Sequence, residues 1–188
     1  MVEVPPYLTF LETVLVRVRR RDGDLLHGEE RARLEAYDAL SLDARRLLVR
    51  LLTRKGPWFR RDDLRYAEVE DLEAACGELV AEGWCREDAE APELAGLLTK
   101  DELATWLGTF GLPAPRAARR EALAEAFASA LADPGRLAAV RAALCPLARL
   151  HDDLWALVFL LFFGTFDQDL SLFIRTDIGQ LRCESYPL

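Results

Sequence analysis

Eight of the residues in the stretch 44–66, ARRLLVRLLTRKGPWFRRDDLRY, are basic: Arg45, Arg46, Arg50, Arg54, Lys55, Arg60, Arg61 and Arg65. Only Asp62 and Asp63 oppose them, so the local balance is 8 − 2 = +6 in a chain whose net charge is −8. Residues 67–95 hold ten acids against the single base Arg86, a balance of 1 − 10 = −9. The chain as a whole repels polyanions, but its charge is segregated, and a segregated basic face is what a phosphate backbone can use. Trp58, Phe59, Leu64 and Tyr66 are interleaved with Arg60, Arg61 and Arg65. Aromatic rings in such a setting either stack on bases or fill a core.

A second basic group lies in 97–131, LLTKDELATWLGTFGLPAPRAARREALAEAFASAL. Thr99 and Glu102 have the spacing of a capping box, and Leu103, Leu107 and Phe110 form one helical stripe. Gly111, Pro113 and Pro115 make the turn, and Leu123, Phe127 and Leu131 line a second helix. Lys100 falls at the first helix start, and Arg116, Arg119 and Arg120 at the second. Cations at helix N-termini reach phosphates together with backbone N–H groups.

Catalytic chemistry has little support. There is no P-loop, G-x-S-x-G or H-E-x-x-H. A restriction-like nuclease core needs an acid, one residue and a lysine, yet the two lysines, Lys55 and Lys100, are preceded at that spacing by Thr53 and Leu98. Asp152-Asp153 and the Asp167, Asp169 pair suggest a magnesium site at most, against the plainer reading of a helix cap and solvated acids. His151 reads as a helix-end residue. Zinc is excluded by the isolation of His27 and His151 from each other and from Cys76, Cys85, Cys145 and Cys183. The thiols read as free in a reducing cytosol.

Ala, Leu and Arg dominate and β-branched residues are sparse, which favours helices. The pattern predicts helices over 8–20, capped by Thr9 and Glu12, then 28–40, from Ser41 to Lys55 with Gly56 as its end, and 69–82 ended by Gly83. The first helix ends in Arg19-Arg20-Arg21, where the helix dipole welcomes cations; phosphate contact is the alternative. Residues 57–66 read as a turn with a short extended piece, Trp84-Cys85 as a short strand, and 86–93 as an acidic connector. Helices near 134–145 (Asp133 as N-cap, Pro134 first inside) and 147–163, a last helix after Asp167, and a strand over 180–186 complete the reading. The apolar run 154–163 is about half a membrane span and reads as a buried helix. No leader peptide is expected. Helix, aromatic turn, helix and short strand outline a winged helix; a plain helical bundle fits the periodicity as well.

The run LLVRLLTRKGPWFRRDDLRYAEVEDLEAACGELVAEGW resembles the helix-turn-helix region of the Fanconi-associated nuclease family, through R-L-x-x-R-K-G-x-W-F-R-x-x-x-L-R-Y in particular. LLTKDELATWLGTFGLP followed by a basic helix is similar to that family's SAP module, and LLFFGTFDQDLSLFIRTDIGQLRCESYPL to its continuation. One departure is that the module's glycine and lysine at the second helix start stand here as Ala118 and Arg120. The resemblance implies structure-selective, 5′-flap-cleaving proteins of interstrand crosslink repair, with a TPR-like region and a VRR-type nuclease domain following the parts matched here.

The expectation is therefore a mainly α protein: an N-terminal helical and winged-helix region over 1–95, a SAP-like hairpin over 96–132, and a helical segment over 133–188 leading toward a TPR-like and nuclease region. Branched or flapped DNA is the expected partner, with a C-terminal nuclease domain as a second and no membrane. Arg54, Lys55, Arg60, Arg61 and Arg65 of the first module and Lys100, Arg116, Arg119 and Arg120 of the second would neutralise phosphates without base readout. About half of these bases are expected to be lost to internal pairs with the abundant acids, for example Arg61 with a neighbouring Asp. No catalytic residue and no cofactor are expected in the chain, magnesium or manganese belonging to the nuclease domain. The abrupt end at Leu188 suggests a fragment. A bacterial cytoplasmic protein, nucleoid-associated when bound, is the expected setting. A scaffold docking a nuclease domain and a winged-helix transcriptional regulator are the rival readings.

Overall fold

The computed structural model describes residues 4–164. The element order is α1 (Pro6–Asp22), α2 (Gly28–Ala39), α3 (Leu42–Leu52), β1 (Trp58–Arg60), a 3-10 turn (Arg61–Asp63), α4 (Leu72–Ala81), β2 (Cys85–Arg86), α5 (Ala91–Gly96), α6 (Lys100–Thr109), α7 (Arg120–Ala130), α8 (Pro134–Leu144), β3 (Pro146–Arg149) and α9 (Asp152–Phe163). The expected helix after Asp167 and strand over 180–186 lie outside the described residues. No helix among the described residues is long and apolar enough to cross a membrane.

These elements form two compact units that cut across the linear order. Among the described residues, one comprises 4–55, Tyr66–Trp84 and 151–164; the other comprises Gly56–Arg65 and Cys85–Leu150. In the first unit α1 packs on α3 and α9, and α3 packs on α4. The stripe Leu8, Leu11, Val14, Leu15 and Val18 of α1 is buried throughout. Tyr37, Trp84 and Trp155 meet at ring centroid distances of 5.8–6.2 Å, and His151 holds the edge of this nest through Nε2 to Gly83 O, 2.9 Å. His151 is thus a helix-end residue, as its position indicated.

The second unit has its own core, centred on Leu94, Leu98, Leu103, Leu107, Leu123 and Phe127. Helices α5 and α6 both pack on α7. Beside them lies a three-stranded antiparallel sheet in the order β1-β3-β2, with Phe59 opposite Leu147 and Cys85 opposite Arg149. The short strands expected at 57–66 and 84–85 therefore exist, but each pairs with β3 rather than with the other.

Several boundaries differ from the sequence reading for identifiable reasons. Helix α1 begins at Pro6 with Pro5 as N-cap, so Thr9 and Glu12 form no capping box. A proline in the first turn has no N–H to leave unsatisfied. Glu12 pairs instead with Arg45 at 2.8 Å. Helix α3 closes at Leu52, and Gly56 at φ +85° turns the chain beyond it rather than ending the helix. Helix α4 starts at Leu72 because the Asp71 carboxylate accepts the Ala74 N–H at 2.9 Å. The connector 86–93 gives way to α5 from Ala91, capped by Glu90 and Glu93. Residues 147–149, expected in a helix, are the central strand. Cys145 stands at φ +42° before Pro146, a residue that disfavours helix at the position preceding it. The strand then buries Leu147 and Ala148.

Candidate nucleic-acid interface

One carboxylate of the second unit, Glu102, caps α6 and holds Arg60. Thr99 caps α6: its hydroxyl accepts the Glu102 N–H at 3.3 Å, and Glu102 Oε2 accepts the Thr99 N–H at 2.8 Å. This is the capping box that the spacing indicated. The other Glu102 oxygen accepts from Arg60 Nη1 of β1 at 2.6 Å. The Thr99 backbone N–H, then Arg60 and the Thr99 hydroxyl, hold the Glu102 carboxyl at about 2, well below 4.5. The same hydrogen bond raises Arg60. Arg60 also lies 3.9 Å from Asp63.

Arg61 pairs with Glu87, with its guanidinium largely covered. Arg120, the first residue of α7, donates through Nη2 to Ala95 O at 3.0 Å, Leu98 O at 2.9 Å and Gly96 O at 3.4 Å. It ties the α7 start to the carbonyls at the end of α5 and in the link to α6. Arg60, Arg61 and Arg120 are thus engaged inside the unit; Arg61 is paired internally as expected, but with Glu87 of the acidic connector rather than a neighbouring Asp.

Of the bases expected at an interface, those left in this unit are Lys100, Arg116, Arg119 and Arg65, all exposed. Lys100, at the start of α6, donates Nζ to Arg116 O at 3.1 Å, which brings the loop before α7 against the α6 N-terminus. Arg116 and Arg119 are exposed, and Arg119 is the N-cap of α7. Arg65 is exposed, with only a long contact from Nε to Asp62 O, 3.4 Å. One corner therefore gathers Lys100, Arg116 and Arg119 at two helix N-termini, with no acid paired to any of them among the described residues. Ammonium and guanidinium groups beside helix N-termini form an anion-binding surface.

In the first unit, Arg54 and Lys55 are exposed after α3, and Arg54 donates to the Tyr66 hydroxyl at 3.4 Å. The arginines before them are structural. Arg46 is 3% exposed and pairs with Asp43 at 3.0 Å. Arg50 Nε donates to Glu68 at 2.7 Å and its guanidinium lies 4.3 Å over Tyr7. Partial burial opposes the Glu68 carboxylate, yet its own backbone N–H, Arg50 and Tyr7 donate to it and its pKa falls below the ordinary value.

The aromatic residues are core rather than stacking platforms. Phe59 is buried, and half-buried Trp58 packs on the second core with Arg86 4.9 Å over its ring. Trp106 packs on the same core beside Phe110. Asp152 and Asp153 are exposed in the first turn of α9, Asp167 and Asp169 lie outside the described residues, and no three metal-binding side chains cluster among the described ones. The donor set needed for a nuclease metal is not assembled by the described residues. Sequence reasoning missed the Arg60–Glu102 link and the role of Arg120. Only the i, i+3 capping spacing pointed toward the first, and nothing local pointed to the second.

The fold is that of a mainly helical protein whose helix-turn-helix segment and basic helical hairpin occur together. Residues 6–86 match the family model described as FAN1, HTH domain. The chain is 36% identical to the Fanconi-associated nuclease 1 homolog of Pseudomonas aeruginosa over 95% of its length, covering 32% of that protein. It is 33% identical to the homolog of Arabidopsis thaliana over 96% of its length, covering 22% of that protein. Its structure superposes with a TM-score of 0.79 on crystalline paFAN1 bound to a 2-nucleotide 5′-flap DNA with a gap, at 34% identity, over 100% of this chain and 35% of that one. Residues 6–86 thus carry the helix-turn-helix domain of the Fanconi-associated nuclease family, and the chain spans about a third of the length of the bacterial relative it resembles.

Proposed function

We propose that this chain is the DNA-gripping N-terminal portion of a structure-selective 5′-flap nuclease of interstrand crosslink repair. The supporting observation is its likeness, along its whole length, to a family member crystallised with 5′-flap DNA, joined to the exposed Lys100–Arg116–Arg119 corner. The α6–α7 hairpin serves as the SAP-like module, and Lys55, Arg65, Lys100, Arg116 and Arg119 neutralise phosphates. Arg54 joins them by exchanging its contact with the Tyr66 hydroxyl for a phosphate. Base readout has no part, since α4 presents Glu73 rather than bases to water. Phosphodiester cleavage falls to a VRR-type nuclease domain outside these residues, where magnesium or manganese would act. The setting is a bacterial cytoplasm.

The test is fluorescence anisotropy of the 188-residue chain with a 5′-flap duplex and a matched linear duplex over a salt series with magnesium present. The expected result is binding that favours the flap, weakens steeply with salt and leaves the DNA uncut. A flat salt response, or no binding at low salt, removes the backbone-contact reading.

A further inference from the structure

The Arg19-Arg20-Arg21 run takes no part in the corner described above. With Arg31 of α2 it lines a cleft of about 770 Å³ in the first unit. The helix dipole by itself accounts for cations in a last turn, so the contacts of each guanidinium decide. Arg19 donates to Asp38 at 2.8 Å and to Leu34 O at 2.7 Å. Arg21 donates to Asp22 at 2.8 Å and also to Leu161 O. Both are tied into the fold. Arg20 is exposed and has no such partner among the described residues. Arg31, also exposed, donates only Nε, to Leu26 O at 2.9 Å. That bond sets the plane of its guanidinium and leaves the Nη groups available, the pair that grips two oxygens of one phosphate.

Gly23 is among the lining residues, at the end of α1. A Cβ at Gly23 would lie 2.4 Å from Arg19 O, so a side chain there would displace the backbone that closes α1. The lining carries four arginines against Asp24, Glu35 and Asp38, a balance of 4 − 3 = +1. Asp38 is already paired with Arg19. A single positive charge suits one phosphodiester monoanion and not a long run of them.

We propose that this cleft holds one phosphodiester of a nucleic-acid strand on the Arg20 and Arg31 guanidinium groups. The proposal rests on the DNA-binding reading and adds a contact to it in the other unit. It is tested with Arg20→Gln/Arg31→Gln in the 188-residue chain, by anisotropy on the 5′-flap duplex across the salt series. The expected result is a log K against log salt slope shallower by about 1, with Arg20→Lys/Arg31→Lys retaining the wild-type slope. An unchanged slope in the glutamine variant overturns the cleft, while a loss confined to Lys100→Gln/Arg119→Gln leaves the interface reading standing.

A second measurement needs no duplex. The arginine Nε–Hε signals are followed by NMR as the dinucleotide d(TpT) and, separately, inorganic phosphate are added to millimolar concentration. Shifts at Arg20 and Arg31 with d(TpT) support the site even if the wild-type chain binds no duplex, an outcome that removes only the interface reading. No shift, or a shift with inorganic phosphate alone, overturns it. Arg20→Gln alone carries the test if the double variant does not fold.

Discussion

Two basic stretches of the chain are treated in opposite ways by the fold. In 45–50, Arg45, Arg46 and Arg50 all turn inward onto Glu12, Asp43 and Glu68. In 100–119, Lys100, Arg116 and Arg119 stand in water with no acid on them among the described residues. The first stretch is the denser in sequence and the poorer in available charge. The reason is position in the element: the α3 arginines alternate with buried leucines on a helix packed from two sides, whereas the hairpin bases sit at helix starts and in a turn. Density of like charge along a chain therefore measures the need for internal partners as much as the capacity for external ones.

The difference can be broken first at its most buried charge. Asp43 faces Arg46 and also accepts the Glu70 and Asp71 N–H groups at 2.9 and 3.1 Å. Asp43→Ala leaves a buried guanidinium short of its partner and is expected to cost about 3 kcal/mol, read as a lower urea midpoint, with DNA affinity of the folded chain unchanged. An unaltered midpoint would mean that α3 is not held by this pair.

Arg120 is the hairpin base that behaves like an α3 arginine. Arg120→Met removes three carbonyl contacts and is expected to destabilise by about 2 kcal/mol, with the salt slope of DNA binding preserved in the folded fraction. Loss of slope without loss of stability would return Arg120 to the phosphate-contact group. Lys100→Gln/Arg119→Gln should do the reverse. Thermal stability is expected to hold, while the salt slope falls by about 2.

The smallest effect sharpens the boundary between the two kinds of base. Glu102 holds Arg60 and caps α6, with its carboxyl at about 2 in the folded chain against 4.5 ordinarily. The folded state binds the proton more weakly than the unfolded one, so this stabilisation is complete above about 4.5 and is lost as the pH falls toward 2. Thermal melts of Glu102→Gln should show a shallower fall over that window than the wild-type chain. Identical profiles would place the acid sensitivity elsewhere.

Much was legible without coordinates. The α1 stripe, the start of α3 after Ser41, the Thr99–Glu102 box and the Asp133-Pro134 start of α8 are local signals, each stated within a few residues, and the structure contains all four. The signals that failed were local ones overruled. Thr9 and Glu12 had the right spacing, but Pro5 and Pro6 started the helix earlier. Residues 147–149 had helical composition, but their backbone N–H and C=O groups were taken by β1 and β2, strands distant in sequence.

The sequence by itself determined that this is a mainly helical chain with segregated charge, capped helices at stated places and a family pattern running through 47–84. Those properties depend on neighbours within a few turns. Only the tertiary structure decided which arginines remain for a ligand, because a guanidinium's partner is whatever acid or carbonyl packing brings to it. Glu102 reaches Arg60, and Ala95 and Leu98 reach Arg120, across loops whose closure no local pattern encodes.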